Sequence, residues 1–170
     1  MSCGKWLDRY PNDIFVETGS GGGGGIQYAL RYGFKKIYSV EIDEKKYELC
    51  SRLFKNNKNV YLHCGDSIKV LPKILENIKA KATFLLDAHV SDVKHLHGDL
   101  VCPIIEELKI ILNHAKALKV RHSIFIDDLK YFDGECEAFG KIKMSDIKKE
   151  ITKIDPSYVI QDGKKCIIIS

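Results

Sequence analysis

Five consecutive glycines, Gly21 to Gly25, separate an apolar run ending in a carboxylate and a threonine, Ile14-Phe15-Val16-Glu17-Thr18, from an apolar-periodic stretch, Ile26 to Phe34. The order reads as strand, glycine loop, helix. A backbone without Cβ atoms can press against a ligand, and the helix it opens aims unpaired N–H groups at that ligand. Each glycine costs roughly 0.5–1 kcal/mol of order relative to alanine. Such a run is therefore expected where close approach is needed, and it points to a nucleotide-type cofactor site rather than a flexible turn. A P-loop is excluded because no Gly-Lys-Ser/Thr follows.

Apolar strand-like runs alternate with amphipathic stretches along nearly the whole chain. Expected strands are 14–18, 36–41, 60–64, 83–87 and 123–127. Expected helices are 24–32, 44–56, 67–78, 103–116 and 145–154. Strands separated by helices imply right-handed crossovers and a parallel sheet covered on both faces. The ending differs: 158–161, then Asp162-Gly163, then 165–169, is a hairpin signal with a type I′ turn. The expected fold class is α/β: a three-layer Rossmann-like sandwich with a mostly parallel seven-stranded sheet and a C-terminal antiparallel hairpin. Residues 1–170 are expected to form one domain with a minimal N-terminal extension, leaving little material for a lid.

Composition narrows the function classes. The net charge of +4 is spread over many Lys and Glu residues and does not by itself indicate a nucleic-acid partner. No apolar run is long enough for a membrane span and no signal peptide is visible, so no membrane partner is expected. The six cysteines (Cys3, Cys50, Cys64, Cys102, Cys136, Cys166) show no CxxC spacing. Inert thiols in a reduced, cytoplasmic protein are the simple reading, and a zinc site is not expected.

In such sheets ligands bind beyond the carboxyl ends of the strands. Every expected strand end presents acid: Glu17, Glu41, Asp66, Asp87 and the pair Asp127-Asp128, with His89 close by. Carboxylates crowded on one rim repel, so they need donors or cations to coexist.

Two cofactor readings follow. Gly19, Gly21 and Gly24 fit a dinucleotide G-x-G-x-x-G with Glu41 downstream, but almost any glycine pattern matches a five-glycine run. The other reading is a resemblance. Glu17-Thr18-Gly19-Ser20-Gly21-Gly22-Gly23 resembles the first motif of the class I S-adenosylmethionine (SAM)-dependent methyltransferases. Tyr38-Ser39-Val40-Glu41-Ile42-Asp43 resembles their second motif, and His63-Cys64-Gly65-Asp66-Ser67 their third. Leu85-Leu86-Asp87-Ala88-His89 stands where the motif after strand four belongs. The resemblance runs from about Asn12 to the C-terminus. It implies SAM as cofactor, with Glu17, Thr18, Gly19, Gly21 and Gly23 around the amino acid end. Glu41 and Ile42 would meet the ribose, Gly65, Asp66 and Ser67 the adenine, and Asp87 would complete the cofactor site. The chemistry agrees: the cofactor is cationic and carries no phosphate, so a loop without a basic residue is suitable. Glu41 can accept two hydroxyls, Asp66 can accept the adenine N–H, and Ser67 is placed to cap the next helix.

Asp87, Asp127 and Asp128 are expected to converge, because adjacent parallel strands lie about 4.8 Å apart. Three oxygen ligands suit a hard ion such as Mg²⁺, which lowers the pKa of a bound hydroxyl. This pattern resembles the metal-dependent O-methyltransferases acting on catechols and on macrolide sugars. The resemblance implies Asp87, Asp127 and Asp128 as metal ligands and His89, with Asp87, in catalysis. His89 would be the general base, as its near-neutral pKa suits. The expected acceptor is a hydroxyl of a small molecule or sugar, and a homodimer could supply a missing wall of the site. The polar stretch Val90 to Leu100, with His95, His97 and Gly98, could close over substrate, and Tyr131, Phe132 and Phe139 could line the opposite wall. Two alternatives stand beside this. One is an RNA ribose 2′-O-methyltransferase using Lys5, Asp87 and Lys130, although no Glu follows the sixth strand to complete that set and the chain lacks the Pro-Pro-aromatic motif of base methylases. The other is a catalytically silent SAM-binding partner subunit.

Overall fold

Residue parity along the strands builds the three layers. In the computed structural model, which describes residues 12–89, 100–162 and 167–169, five parallel strands form the sheet's core. They are β1 (Ile14–Thr18), β2 (Lys36–Glu41), β3 (Val60–Cys64), β4 (Thr83–Leu86) and β5 (Ser123–Ile126). Successive side chains face opposite sides of a strand. Phe15, Ile37, Leu85 and Phe125 therefore pack with α1 (Gly24–Arg31) and α2 (Glu44–Leu53). Val16, Val40, Phe84, Leu86, Ile124 and Ile126 pack with α3 (Ser67–Leu75), α4 (Ile104–Leu118) and α5 (Met144–Ile154). Both faces are covered, which is why these strands read as apolar runs rather than as alternations.

The sheet order is β3-β2-β1-β4-β5, continuing through β7 (Ile167–Ile169) to β6 (Ile160–Asp162). Pairing is parallel up to β5, while β7 runs antiparallel to both β5 and β6. These last two strands are three residues each, shorter than the sequence pattern suggests. The Gly163 half of the expected turn lies outside the described residues. The parallel core of five strands is what positions the site.

The chain reverses direction in strand order at β1 and β4, which are neighbours although three helices separate them in sequence. Their carboxyl ends form the crevice where open α/β sheets bind ligands. No helix among the described residues is long and apolar enough to cross a membrane.

Candidate active site

The glycine loop is pinned between two strand ends, not left loose. Gly19 and Ser20 donate their N–H groups to the Val40 carbonyl at 2.8 and 3.2 Å, and Gly21 N–H donates to Glu41 Oε2 at 2.7 Å. Gly19 has φ +81°, and a Cβ on it would collide with the Asp87 carbonyl oxygen. Gly23, at φ +82°, precedes α1 with no side-chain cap, and a Cβ there would sit 2.6 Å from the Phe54 ring. The two glycines let the loop lie against β4 on one side and α2 on the other, with the N-terminus of α1 beneath it.

Around this loop stand the predicted acids. Glu41 is buried, and each of its oxygens already takes one backbone N–H: Oε2 from Gly21 and Oε1 from Asp43 at 3.0 Å. A carboxylate has about four acceptor sites, so capacity for two hydroxyls remains. Ile42 lies half-buried on the bend that follows. Asp66 caps α3 by accepting Ile68 N–H at 3.0 Å. Ser67 was expected to be the cap and is instead the buried first residue of the helix. The cap belongs to Asp66 because its extended backbone stands one residue before the first helical φ/ψ, where a side-chain oxygen reaches the second helical N–H. Gly65, with φ +141°, makes the turn between β3 and α3.

Glu17 and Thr18, at the end of β1, are fully buried. Ser39 donates its hydroxyl to Glu17 Oε2 at 2.7 Å, and Ser20 Oγ lies 2.6 Å from Ser39 Oγ. Glu17 Oε1 has no hydrogen-bond partner. Burial pushes this carboxyl up to about 8 against the opposing bond from Ser39, and the negative charges of Asp87 and Glu41 push the same way.

Of the expected metal ligands, Asp87 and Asp128 lie together around His89. His89 Nδ1 lies 3.4 Å from Asp87 Oδ1, and His89 Nε2 lies 3.4 Å from Asp128 Oδ2. Ligand atoms of Asp87, His89 and Asp128 fall within 4.8 Å of one another. Asp127 is not in this set. Its side chain is buried and its Oδ1 accepts the Asp128 N–H at 2.8 Å. The reason is local: Asp127 still follows strand pairing, donating its N–H to the Leu86 carbonyl, whereas Asp128 turns into the left-handed region at φ +61°. The two adjacent residues thus leave the strand on different backbones, while the charges of both act on Asp87. Burial first, then Asp127 and Asp128, push the Asp87 carboxyl up to about 7, while burial holds the His89 imidazole below its ordinary value.

The imidazole of His89 stacks on Phe139 with ring centroids 4.3 Å apart, and Phe139 in turn contacts Tyr131 and Phe132 at 5.0 and 5.1 Å. Two 3-10 turns, Leu129–Tyr131 and Glu137–Phe139, carry these rings back to the site after β5. Of the aromatic wall expected here, Phe139 is the member stacked on His89, and Tyr131 and Phe132 pack against Phe139. The stretch Val90 to Asp99, with His95 and His97, lies outside the described residues, as does Lys5.

Three comparisons bear on this geometry. No protein-family model matches the chain, and no curated protein sequence matches it. Solved structures do. The SAH-bound methyltransferase PaMTH1 of Podospora anserina superposes with TM-score 0.68 at 15% identity, over 98% of this chain and 76% of its own. A SAM-dependent methyltransferase from Aquifex aeolicus gives 0.56 at 13%, over 99% and 87%. A candidate methyltransferase of Streptococcus mutans, SMU.1697c, solved in complex with SAH, gives 0.60 at 16%, over 98% and 93%. The chain has the class I methyltransferase fold. In this fold the crevice between β1 and β4 is the place described above, and the loop from Gly19 to Gly23 lines it.

One buried acid of this methyltransferase fold escaped the sequence reading. Glu107 on α4 is buried beside Thr18 and Ser67, whose hydroxyls oppose the burial that pushes its carboxyl up to about 7. A signal was present: Ile104, Glu107, Leu108, Ile111, Leu112 and Ala115 form one helical stripe, and Glu107 is the charged member of it. Its neighbour Glu106 points outward to Lys109 at 2.6 Å.

Proposed function

We propose that this protein is a SAM-dependent methyltransferase that passes a methyl group to a hydroxyl of a small molecule or sugar with help from a divalent cation. The observation that carries the reading is the convergence of Asp87, His89 and Asp128 beside the glycine loop. A module that only bound the cofactor would have no use for them.

The residues suit the cofactor. Glu17 offers an unpartnered buried oxygen to a cationic amino group. Glu41 keeps two acceptor positions for ribose hydroxyls, Asp66 faces the adenine side, and the glycine loop leaves room that a Cβ would fill. They suit a cation as well. Two carboxylates and one imidazole form a mixed oxygen–nitrogen set, which takes Mn²⁺ more readily than the all-oxygen set expected for Mg²⁺. The cation's contribution when bound is to lower the pKa of a hydroxyl beside it. Asp87 and Asp128 supply negative charge, and the half-buried His89, whose imidazole burial holds below its ordinary value, supplies a nitrogen that completes the ligand set or accepts the acceptor's proton. His89→Gln separates these roles: weaker cation binding marks a ligand, and unchanged cation binding with lost turnover marks a base.

A small acceptor is favoured over RNA because Lys130, which the ribose-methylating set needs beside Asp87, holds its ammonium 4.4 Å from the Tyr131 ring centre. The test is titration calorimetry of S-adenosylhomocysteine with Mn²⁺, with Mg²⁺ and with EDTA, followed by methyl-transfer assays on hydroxylated acceptors. Micromolar binding in all three, with turnover only when a cation is present, is the expected result. Absence of binding to folded protein overturns the proposal, and turnover equal in EDTA removes the cation from it.

A further inference from the structure

We infer that this site takes up the ammonium group of its ligand in exchange for a proton from Glu17, so that ligand binding is itself a proton-release event. The inference rests on the cofactor reading above and deepens it.

The geometry around Glu17 allows few arrangements. The side chain is wholly buried at the base of the glycine loop. Oε2 is occupied as an acceptor, because Ser39 donates to it, and the Ser39–Ser20 hydroxyl pair continues from there to the loop. Oε1 meets no donor. The charged groups acting on the carboxyl are Asp87 at the end of β4 and Glu41 at the end of β2, both acids, and no ion pair among the described residues includes Glu17. The titratable group facing it from α2 is Cys50, whose thiol burial first, and then Glu17 and Glu41, push up to about 11, so it stays neutral. A wholly buried, ionised carboxyl with one bare oxygen is the costly state. Without the ligand the proton therefore stays on the Glu17 carboxyl.

An ammonium group arriving at Oε1 reverses the balance. It brings three donors and a positive charge to the oxygen that lacks both. The O–H bond of the carboxyl breaks, its proton passes to solvent, and the carboxylate keeps the electron pair and accepts an N–H⁺ from the ligand. The ammonium arrives already protonated, so one proton is released per ligand bound. With the Glu17 carboxyl pushed up to about 8 by its burial, this release is nearly complete at pH 7. Affinity then rises about tenfold for each pH unit between pH 6 and pH 8 and levels off above, the slope of a one-proton linkage.

The experiment is calorimetry in EDTA at pH 7, run in phosphate and in Tris, two buffers of very different ionisation enthalpy. S-adenosylhomocysteine carries the ammonium; 5′-methylthioadenosine lacks the whole amino acid end. The expected result is binding of both nucleosides, with a buffer-dependent heat equal to nearly one proton for S-adenosylhomocysteine and none for 5′-methylthioadenosine. Glu17→Gln copies the neutral carboxyl in shape and cannot ionise, so it should bind S-adenosylhomocysteine only about as weakly as 5′-methylthioadenosine, without releasing a proton and without pH dependence. Binding with equal heats in the two buffers overturns the proton exchange and leaves the cofactor reading standing. Release that persists in Glu17→Gln overturns the assignment to Glu17. No binding of either nucleoside overturns both. A ¹³C carboxyl titration of the ligand-free wild-type protein needs no variant fold: no carboxyl midpoint above 7 in that spectrum also overturns the inference.

Discussion

Asp127 accepts the backbone N–H of Asp128 at 2.8 Å, and the two adjacent acids then differ: Asp127 is buried with Oδ1 engaged, and Asp128 Oδ2 lies 3.4 Å from His89 Nε2. Asp128→Asn tolerates the left-handed backbone and should leave folding unchanged while lowering Mn²⁺ affinity by at least about tenfold. Asp127→Ala should retain Mn²⁺ binding and lose about 1 kcal/mol of stability, the cost of leaving the half-buried Asp128 N–H without its acceptor. Parallel Mn²⁺ titrations and urea unfolding of the two variants check this. A larger loss of Mn²⁺ affinity in Asp127→Ala than in Asp128→Asn would place the ligand in the wrong residue.

The glycine run contains positions of unequal weight. Gly19→Ala meets both a positive φ and the Asp87 carbonyl, so a loss of about 2 kcal/mol or more is expected, together with loss of S-adenosylhomocysteine binding. Gly22→Ala has no positive φ and no atom within 4 Å of the new Cβ, and should change stability by less than about 0.5 kcal/mol. Urea unfolding of both variants decides it, and equal losses would mean that the loop's contacts with β4 do not matter.

Glu107 makes stability fall as pH rises. Its carboxyl titrates near 7 in the fold against an ordinary 4.5, so the favoured neutral form is fully present below 4.5 and is lost as pH rises through 7. Glu107→Gln should therefore gain up to about 3 kcal/mol at pH 8.5 and less than about 1 kcal/mol at pH 5. Denaturant midpoints at the two pH values test the sign; a gain that is larger at pH 5 would contradict it.

A histidine pair at the opposite end of the sheet has the reverse sign. Ala82 N–H donates to His122 Nδ1 at 3.1 Å, which leaves the His122 proton on Nε2, facing His114 Nδ1 at 3.1 Å. His114 Nε2 then donates to the Ile78 carbonyl at 3.1 Å. A second proton on either ring would set two N–H groups against each other. Burial first, then the paired histidine, hold His122 down to about 4, and His114 is lowered as well. The stability this confers is present above 6.5 and is lost as pH falls from 6.5 through 4, by about 3 kcal/mol for His122. Unfolding free energies at pH 7, 5.5 and 4.5 should fall steeply in the wild type and more shallowly in His122→Gln. Equal slopes would remove the pair from acid sensitivity.

The elements were legible because their signals are local. Apolar runs of four to six residues and 3.6-residue stripes placed the five parallel strands and five helices within a few residues of their observed bounds, and the glycine run marked the ligand crevice. Strand-end position also marked Glu17, Glu41, Asp66 and Asp87, since parallel strands deliver their carboxyl ends to one rim. Backbone direction past a strand end is not local. Asp127 and Asp128 are the same residue type side by side, and they part because one still pairs with Leu86 while the other turns to φ +61°. Phe139 reaches His89 from fifty positions away, through two short turns that no periodicity announces. The bare Oε1 of Glu17 is likewise a product of packing: the strand-end pattern places an acid there, but only its burial beside Ser39 leaves one oxygen occupied and the other unpartnered.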